Sequence, residues 1–387
     1  MIAVIADDIT GAAEMAGIGF RYGLRTSLVT EVSGALPYCD ILVVATDTRS
    51  MAEEEAVAET RRVVRRLWDA GVRKFFKKTD SALRGHVVPE LIVLLEELPY
   101  TRVVYLPQNP SKGRVIKEGV YYINGKPLHE TSFAFDPEFP ATTSVVTERL
   151  PGIQRLEGTI LFPDFKPKKG ELPIYVADAF SESEISLHLS EWIHPDVLFA
   201  GAADLFTSYI KLGSLRQDSD DFSLSAPFKG LQSERALIVC GSTQSKSLSE
   251  ETYIKKHAIP VVQMPEDVFE GIAPALQWSE QLKTVYQYSH SMVLTIGYPS
   301  KGGKDFALRL RTTLSEVVAA LVAESCPAEV VIEGGATAFA ILKALGWKSF
   351  RLTDEVAPGV VRMRREEVSD VCVTLKPGSY PWGDLFC

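Results

Sequence analysis

The chain has 387 residues, of which 46% are hydrophobic and 24% are charged, and its formal net charge at pH 7 is −9. This length exceeds what one hydrophobic core usually holds and predicts two or three domains of ordinary globular composition. Binding to nucleic acid usually requires a face rich in clustered Lys and Arg, because phosphate contacts dominate affinity. The acidic balance of the chain therefore predicts no nucleic-acid partner.

No apolar run reaches membrane-spanning length, and the first residues lack the basic region, apolar core and cleavage site of a secretory signal. The five cysteines are scattered and odd in number, which indicates neither a disulfide framework nor a zinc site. The six histidines form no i, i+4 pair suited to a metal. These features predict a cytoplasmic protein with no membrane partner, in which any metal arrives with a ligand.

The N-terminal residues predict a strand, an acidic tip and a helix in that order. Residues 1–6 are an apolar run, residues 10–21 have helical spacing, and Asp7 and Asp8 stand between them. Open α/β sheets bind ligands at the carboxyl ends of their strands, where carboxylates can orient hydroxyls and helix amides can receive an anion. The alternative is that the acids merely cap the helix, although a cap needs only one acid.

Strands and helices alternate in both halves of the chain. Segments at 26–30, 41–45, 74–78 and 102–106 predict strands, and the helix at 52–70, which has a clear apolar stripe, lies between the second and the third of them. A second series begins at 236–240 and continues near 261, 292, 329, 350 and 371. We therefore predict two α/β domains with largely parallel sheets and an active-site cleft between them.

The polar stretch 216–234 predicts a linker, which places the domains at 1–215 and 235–387. Within the first domain, residues 120–128 predict a hairpin with a type I′ turn at Asn124 and Gly125. The hairpin belongs to an insertion, ending near residue 143, that is better placed to cover a site than to build a core.

Three turns in the second half of the chain combine glycine with hydroxyl or amide groups directly after a strand. They are 241–245 (GSTQS), 333–337 (EGGAT) and 376–380 (KPGSY). Glycine allows a phosphate to approach the backbone closely, and the amides of such turns can hold it. One such turn often has a purely structural purpose, but three in one domain predict a nucleotide site.

Other nucleotide and catalytic motifs are not matched. Residues 297–304 lack the glycine spacing of a P-loop, and Asp305 stands where Ser or Thr would bind magnesium. The glycines of the first helix do not follow the dinucleotide-binding G-x-G-x-x-G order, and no G-x-S-x-G nucleophile elbow occurs. Dehydrogenase and hydrolase functions are therefore disfavoured.

A dense charged group, with Lys77, Lys78, Asp80, Ser81 and Arg84, follows the strand at 74–78. An arginine can grip a substrate carboxylate at two points, and a nearby acid can hold hydroxyls or accept a proton. The alternative is a helical i, i+4 pair of Asp80 with Arg84, worth only about 0.2–0.5 kcal/mol. The sequence alone leaves both interpretations open.

Taken as an ordered set, these motifs resemble those of the four-carbon acid sugar kinases, a family that includes threonate, erythronate and 3-oxo-tetronate kinases. The resemblance is carried by 7–12 (DDITGA), 78–85 (KTDSALRG), 107–114, 119–122, 127–131, 241–242, 334–337 (GGAT), 358–360 and 376–380. It spans nearly the whole chain, and its specificity comes from the order of the motifs.

The resemblance implies a sugar-acid-binding N-terminal domain, a C-terminal domain that binds ATP with Mg²⁺, and transfer of the γ-phosphoryl group to a terminal hydroxyl. It implies that Asp8 and Asp80 are the catalytic residues and hold the substrate hydroxyls, with Asp8 as the base, and that Arg84 holds the substrate carboxylate. Asp7, Lys78 and Ser81 complete the implied substrate site. The implied nucleotide-binding residues are Ser242, Gly334, Gly335, Ala336, Thr337 and Gly378.

The nucleotide half departs from the family pattern. The family usually carries an acid in place of Ala336, proline in place of Val361 and serine in place of Pro377. An alternative function is therefore a degenerate family member that binds a sugar acid or nucleotide without phosphoryl transfer. The expected partners are a small sugar acid and ATP, and the oligomeric state is open, with a homodimer as one option.

Overall fold

The computed structural model describes residues 1–156, 171–213, 230–231, 233–241, 252–299, 302–366, 371–378 and 380–386. These residues form two compact units. The first unit contains Met1–Leu24 and the described residues of 32–213, and the second contains Arg25–Glu31 and the described residues from 230 onward. Most of the predicted linker, 216–234, lies outside the described residues.

The first part of the chain contains eleven of the described strands. They are β1 (Ile2–Ala6), β2 (Thr26–Val29), β3 (Ile41–Ala45), β4 (Lys74–Lys78), β5 (Arg102–Leu106), β6 (Arg114–Lys117), β7 (Val120–Ile123), β8 (Lys126–Pro127), β9 (Gln154–Arg155), β10 (Ile174–Val176) and β11 (Val197–Gly201). The helices are α1 (Ile9–Arg21), α2 (Glu53–Asp69), α3 (Val87–Glu97), α4 (Val146–Arg149), α5 (Glu182–Trp192) and α6 (Ala203–Leu212).

The main sheet of the first unit has the strand order β3-β1-β4-β11-β5-β10-β9, and all neighbouring strands are parallel. Strands β1, β3 and β11 are apolar and buried throughout, as expected for a sheet that is covered on both faces. The register aligns Ala6 with both Ala45 and Lys78. The residues after β1, β3 and β4 therefore leave the sheet side by side.

A small antiparallel sheet of β6, β7 and β8 forms the insertion after β5. Asn124 and Gly125 connect β7 to β8 with φ angles of 50° and 78°. Two successive positive φ angles define the type I′ turn that the sequence predicts at this position.

The second unit contains the remaining strands, β12 (Ala236–Cys240), β13 (Val261–Gln263), β14 (Met292–Thr295), β15 (Glu329–Glu333), β16 (Ser349–Ala357), β17 (Val360–Arg365) and β18 (Cys372–Lys376). Its helices are α7 (Thr252–Lys256), α8 (Glu266–Glu270), α9 (Ala275–Ser289), α10 (Lys304–Ser325) and α11 (Gly335–Ala344). None of the helices in the described parts of the chain is both long and apolar enough to cross a membrane.

The sheet of the second unit has the order β13-β14-β12-β15-β18-β17-β16-β2. It is parallel from β13 to β18 and antiparallel from β18 to β2. The short turn at Gly359, with φ of 79°, forces β16 and β17 to run antiparallel because it is too short for a crossover. The predicted α/β fold class with mostly parallel strands is confirmed, and β2 pairs within the second unit.

Candidate functional site

The carboxyl edge of the first unit's sheet is organised around the guanidinium of Arg49. Its Nε and Nη2 donate to the two carboxylate oxygens of Asp7 at 2.7 and 3.0 Å, and its Nη1 donates to Asp8 Oδ2 at 2.8 Å. Its Nη2 also lies 3.6 Å from Asp80 Oδ1. One cation thus compensates three carboxylates that the parallel strands place together.

Asp8 has two structural roles at this edge. Its Oδ1 accepts a hydrogen bond from the Gly11 backbone amide at 2.8 Å and caps α1, while its Oδ2 pairs with Arg49. A β-carbon on Gly11 would lie 2.8 Å from Asp8 Oδ1 and 3.1 Å from Lys78 Nζ. Gly11 therefore leaves the space in which the acid and the lysine approach the start of α1.

Asp80 and Arg84 form a two-point ion pair outside any helix. Arg84 Nε and Nη2 donate to the two oxygens of Asp80 at 2.9 Å each, and Asp80 Oδ2 also accepts the backbone amide of Ala82 at 3.0 Å. The pair lies in the turn between β4 and α3, where Leu83 has a φ of 60°. The interpretation as a helical i, i+4 pair is therefore wrong.

The three carboxyls differ in acidity. Burial raises the pKa of Asp8, and the charge of Asp7 adds to this effect, against the opposing attraction of Arg49 and Lys78. Burial also acts to raise the pKa of Asp7, but Arg49 and Lys77 outweigh it and hold that pKa below its usual range. The pKa of Asp80 is held well below its usual range, because Arg49 and Arg84 together overcome its burial. Asp8 is thus the one carboxyl of the three that binds a proton more readily than usual.

A fully buried ion pair between β4 and α3 stabilises this edge of the sheet. Lys77 Nζ lies 2.7 Å from Glu90 Oε2 on α3, and both side chains are buried. Glu90 also accepts hydrogen bonds from Thr48 and Thr60. Since Thr48 directly precedes Arg49, the Lys77–Glu90 pair fixes the loop that delivers the central guanidinium.

Part of the insertion after β5 contacts the charged edge, as the sequence predicts for a covering segment. Arg84 Nη1 donates to Asp136 at 3.1 Å, and the Arg84 guanidinium lies 5.2 Å from the centre of the Phe133 ring. Glu138 accepts a hydrogen bond from Ser50, the residue after Arg49. The segment 133–138 is thereby held against the turns that follow β3 and β4.

The predicted substrate-site residues Asp7, Asp8, Lys78, Asp80, Ser81 and Arg84 all lie at this edge. The sequence prediction missed Arg49, Arg114 and Asp136. The one available signal for Arg49 was its place in the polar segment after β3, because ligands bind where strands end. Nothing local to Asp136 marks it, since its partner Arg84 lies 52 positions away in the chain.

In the second unit, the three strands that precede the glycine turns are neighbours in the sheet. The register aligns Cys240 with Glu333 and Glu333 with Lys376, so the carboxyl ends of β12, β15 and β18 are adjacent. Helix α11 begins after Gly334, which has a φ of 97° and supplies no side-chain cap. The first amides of α11 are therefore available to an anionic ligand. Ser242 lies outside the described residues.

Gly241, the first residue after β12, packs tightly against α11. A β-carbon on Gly241 would lie 2.0 Å from Thr337 Oγ1 and 2.6 Å from Thr337 Cβ. A cavity of about 200 Å³ opens beside this contact, and its apolar wall comes largely from α10. Its lining residues are Gly241, Ile296, Ala307, Leu310, Arg311, Leu314, Ala336 and Thr337. Ala336 thus lines this cavity, at the position where the resemblance implies an acid.

A buried ion pair joins two of these turns. Lys376 Nζ lies 2.6 Å from Glu333 Oε1, donates to the Gly378 carbonyl at 3.2 Å, and lies 4.6 Å from the centre of the Trp382 ring. Both charged side chains are almost fully buried. The pair therefore fixes the Gly378 turn relative to the start of α11. Within the described residues, no group of three or more His, Cys, Asp or Glu side chains could hold a metal ion.

Comparison with known families accounts for both units. A sugar-binding N-terminal domain model matches residues 2–154, and a nucleotide-binding C-terminal domain model matches residues 237–380. The chain belongs to the four-carbon acid sugar kinase family. The edge organised by Arg49 lies in the match to the sugar-binding domain, and the glycine turns lie in the match to the nucleotide-binding domain.

The similar proteins include several named acid sugar kinases. A D-threonate kinase of Bordetella bronchiseptica is 28% identical, over 93% of this chain and 88% of its own length. A 3-oxo-tetronate kinase of Salmonella typhimurium is 23% identical, over 98% of this chain and 96% of its own. A D-erythronate kinase of Heliobacterium modesticaldum is 30% identical, over 38% of this chain and 35% of its own.

Two solved structures share the fold of this acid sugar kinase family member. A Salmonella typhimurium protein superposes with a TM-score of 0.77 at 20% identity, covering 100% of this chain and 97% of the other. A Haemophilus influenzae protein superposes with a TM-score of 0.73 at 20% identity, covering 99% of this chain and 98% of the other.

The Arg49→Met variant tests whether one guanidinium compensates the three acids. We expect it to lower the free energy of unfolding at pH 7 by about 3–5 kcal/mol, because it leaves buried carboxylates unpaired. In the wild type, the lowered pKa values of Asp7 and Asp80 contribute stability above pH 4 that is lost as the pH falls. Without Arg49 these carboxyls take up protons on folding, so the deficit of the variant should shrink from pH 7 to about pH 5.

Urea unfolding at both pH values measures this effect. The matched control is Arg66→Met, which removes an exposed arginine of α2. If Arg49→Met behaved like Arg66→Met at pH 7, or if its deficit grew as the pH fell, the central role of Arg49 would be wrong.

The Gly241→Ala variant tests the close packing of the predicted nucleotide turn. Since the new methyl would overlap Thr337, we expect a loss of about 1–3 kcal/mol in the stability of the second unit. Gly378→Ala is the control, because no described atom beyond its chain neighbours lies within 4 Å of the added carbon. Thermal unfolding that ranks the two variants equally would contradict the packing argument.

Proposed function

We propose that this protein is an ATP-dependent kinase that phosphorylates a small, four-carbon sugar acid on a terminal hydroxyl. The observation that supports it most directly is the set of three carboxyls around Arg49, in which Asp8 alone has a raised pKa. Such a set can accept hydrogen bonds from several hydroxyls and remove the proton from one of them. The named relatives that phosphorylate sugar acids support the same substrate class.

Asp8 is the proposed general base. Its side chain is 19% exposed, compared with 4% for Asp7 and 8% for Asp80, so it is the most accessible of the three carboxyls. Each of its oxygens already accepts one hydrogen bond and keeps a lone pair for a ligand hydroxyl. As the attacking oxygen would form its bond to the γ-phosphorus of ATP, the bond from that phosphorus to the bridging oxygen would break and ADP would leave, while the proton of the attacking hydroxyl passes to Asp8.

Asp7 and Asp80 are proposed to orient substrate hydroxyls while they remain ionised. Their lowered pKa values keep them as hydrogen-bond acceptors throughout the working pH range. Lys78 and Ser81 complete the proposed substrate site, Lys78 by its position beside the start of α1 and Ser81 as the neighbour of Asp80. Positioning of this kind accounts for much of the rate enhancement in phosphoryl transfer.

The proposed nucleotide site is formed by Ser242, Gly334, Gly335, Ala336, Thr337 and Gly378. The uncapped start of α11 and the glycine turns fit the phosphates, because free amides and absent side chains allow close approach. Bound ATP with Mg²⁺ would supply the phosphoryl group and neutralise its charge. Lys376 fixes the Gly378 turn through its pair with Glu333.

A second candidate is a family member that binds a sugar acid or nucleotide without phosphoryl transfer. Ala336 favours it, because this side chain lines the cavity beside Gly241 and carries no oxygen where the family usually has an acid. This candidate predicts ligand-induced stabilisation with no turnover.

A coupled assay of ADP release separates the two candidates. We expect turnover with Mg²⁺, ATP and at least one member of a panel of threonate, erythronate and 3-oxo-tetronate. Thermal shifts with each acid and with ATP are measured in parallel. Stabilisation by the acids without ADP release would favour the binding protein, and the absence of both signals would refute the kinase proposal.

The Asp8→Asn variant tests the base. Asn also caps helices well, so the variant preserves the start of α1 while removing the proton acceptor. We expect kcat to fall by about 10²- to 10⁴-fold while the KM for ATP stays unchanged. In the wild type, kcat should decline on the acidic side as Asp8 takes up a proton, with a midpoint above the ordinary Asp value of about 3.9.

The variant should lack that acidic decline. Asp69→Asn, which changes an exposed acid at the end of α2, is the matched control. Near-normal turnover of Asp8→Asn, or an unchanged acidic limb in its residual activity, would exclude Asp8 as the base.

A further inference from the structure

Most cationic side chains at the charged edge of the first unit are already paired with carboxylates. Lys77 lies 2.7 Å from Glu90, Lys78 lies 3.8 Å from Glu14, and Lys112 contacts Glu14 as well. Arg49 is shared by three acids. A cation that is already compensated offers little net attraction to the carboxylate of a ligand.

Arg84 is compensated as well. Each of its three guanidinium nitrogens donates to a carboxylate, Nε and Nη2 to Asp80 and Nη1 to Asp136. These bonds use three of the five N–H groups of Arg84, and the charge that would attract a substrate carboxylate is already compensated by Asp80 and Asp136. The structure therefore gives Arg84 the role of holding Asp80 and the covering segment in place.

Arg114 differs from these cations. The one hydrogen bond of its side chain in the described structure runs from Nη1 to the Ser81 hydroxyl, and its guanidinium also lies 5.7 Å from the centre of the Phe133 ring. No described carboxylate lies within ion-pairing distance of it. Its Nε and Nη2 groups therefore remain available, and its side chain is only half-buried. Because Ser81 directly follows Asp80, the free guanidinium edge lies next to the proposed hydroxyl-binding acids.

The loop that carries Arg114 is held rigidly. Asn109 and Arg114 exchange two backbone hydrogen bonds of 2.8 and 3.1 Å. Ser111 donates its backbone amide and its hydroxyl to Asp204 at 2.9 and 2.7 Å, and Asn109 Oδ1 accepts the Asp204 amide at 3.0 Å. A guanidinium on such a loop is preorganised, so a ligand does not have to order the loop on binding.

Arg149 is the other arginine near Asp80 without a described carboxylate partner. Burial lowers its pKa, although Asp80 and Asp136 oppose the effect. Its Nη1 and Nη2 donate to the carbonyls of Pro140 and Phe139, each at 3.0 Å. These bonds hold both Nη groups against backbone carbonyls, and Nε is buried without a hydrogen-bond partner in the described structure, so the guanidinium of Arg149 is less accessible to a ligand than that of Arg114.

We propose that Arg114 recognises the carboxylate of the sugar acid, while the acids around Arg49 bind its hydroxyls. This role rests on the proposed function. It assigns to Arg114 the contact with the substrate carboxylate that the family resemblance implies for Arg84. The guanidinium can donate two parallel hydrogen bonds to a carboxylate, but it cannot pair in this way with a neutral amide. Arg114 would therefore set the preference of the enzyme for acids over neutral sugars.

Calorimetric binding without nucleotide tests the role of Arg114 independently of phosphoryl transfer. The ligands are the four-carbon acids and their aldonamides, in which an amide replaces the carboxylate. We expect wild type to prefer the acid. Arg114→Met should bind the acid about 10- to 100-fold more weakly, because it loses one or two charged hydrogen bonds to the carboxylate. Binding of the aldonamide should change little, and Arg114→Lys should give an intermediate loss.

Arg149→Met is the matched control, and we expect it to keep the preference for the acid over the aldonamide. Thermal unfolding shows whether each variant is folded, and the ratio of the two affinities within one variant corrects for any general loss. If wild type and Arg114→Met preferred the acid equally, or if only Arg149→Met lost this preference, the role of Arg114 would be refuted. The proposed function would not be affected by that result. If wild type bound none of the acids, both this role and the proposed substrate class would fall.

Discussion

Three buried or half-buried carboxyls cannot remain ionised at one sheet edge unless a cation is fixed among them. The parallel register of β3, β1 and β4 brings Asp7, Asp8 and Asp80 together. The guanidinium of Arg49 compensates the negative charges of these three carboxylates. Arg49 in turn depends on the Lys77–Glu90 pair, which fixes the preceding Thr48. The proposed substrate site is therefore a consequence of charge balance as much as of sheet topology.

The compensation is unequal, and the inequality is chemically useful. Arg49 gives Asp7 two hydrogen bonds but gives Asp8 only one, and Asp80 receives two more from Arg84. The pKa of Asp8 is raised by burial, while those of the other two carboxyls are lowered. The same cluster can thus contain a proton acceptor and two fixed hydrogen-bond acceptors, which is what directed removal of one hydroxyl proton requires.

Local patterns were sufficient to predict the strand tips, the hairpin at Asn124 and Gly125, and the glycine turns, because these features follow from periodicity and turn chemistry. They were not sufficient to predict which side chains from elsewhere in the sequence contact those strand tips. Arg49 lies 42 residues from Asp7, and only the strand order β3-β1-β4 makes them neighbours. Residues 26–29 form a recognisable strand, but nothing in an apolar run indicates that it will pair with β16.

The starts of α1 and α11 show why the two units are suited to different ligands. Asp8 caps α1 and places negative charge at its first turn, so this helix is poorly suited to an anion despite the favourable direction of its dipole. Gly334 leaves the start of α11 without a side-chain cap, and its positive φ opens the turn to a ligand. The sequence predicted an anion site at either helix. Of these two helix starts, α11 is the one that favours a phosphate, and α1 instead carries Asp8, the proposed base.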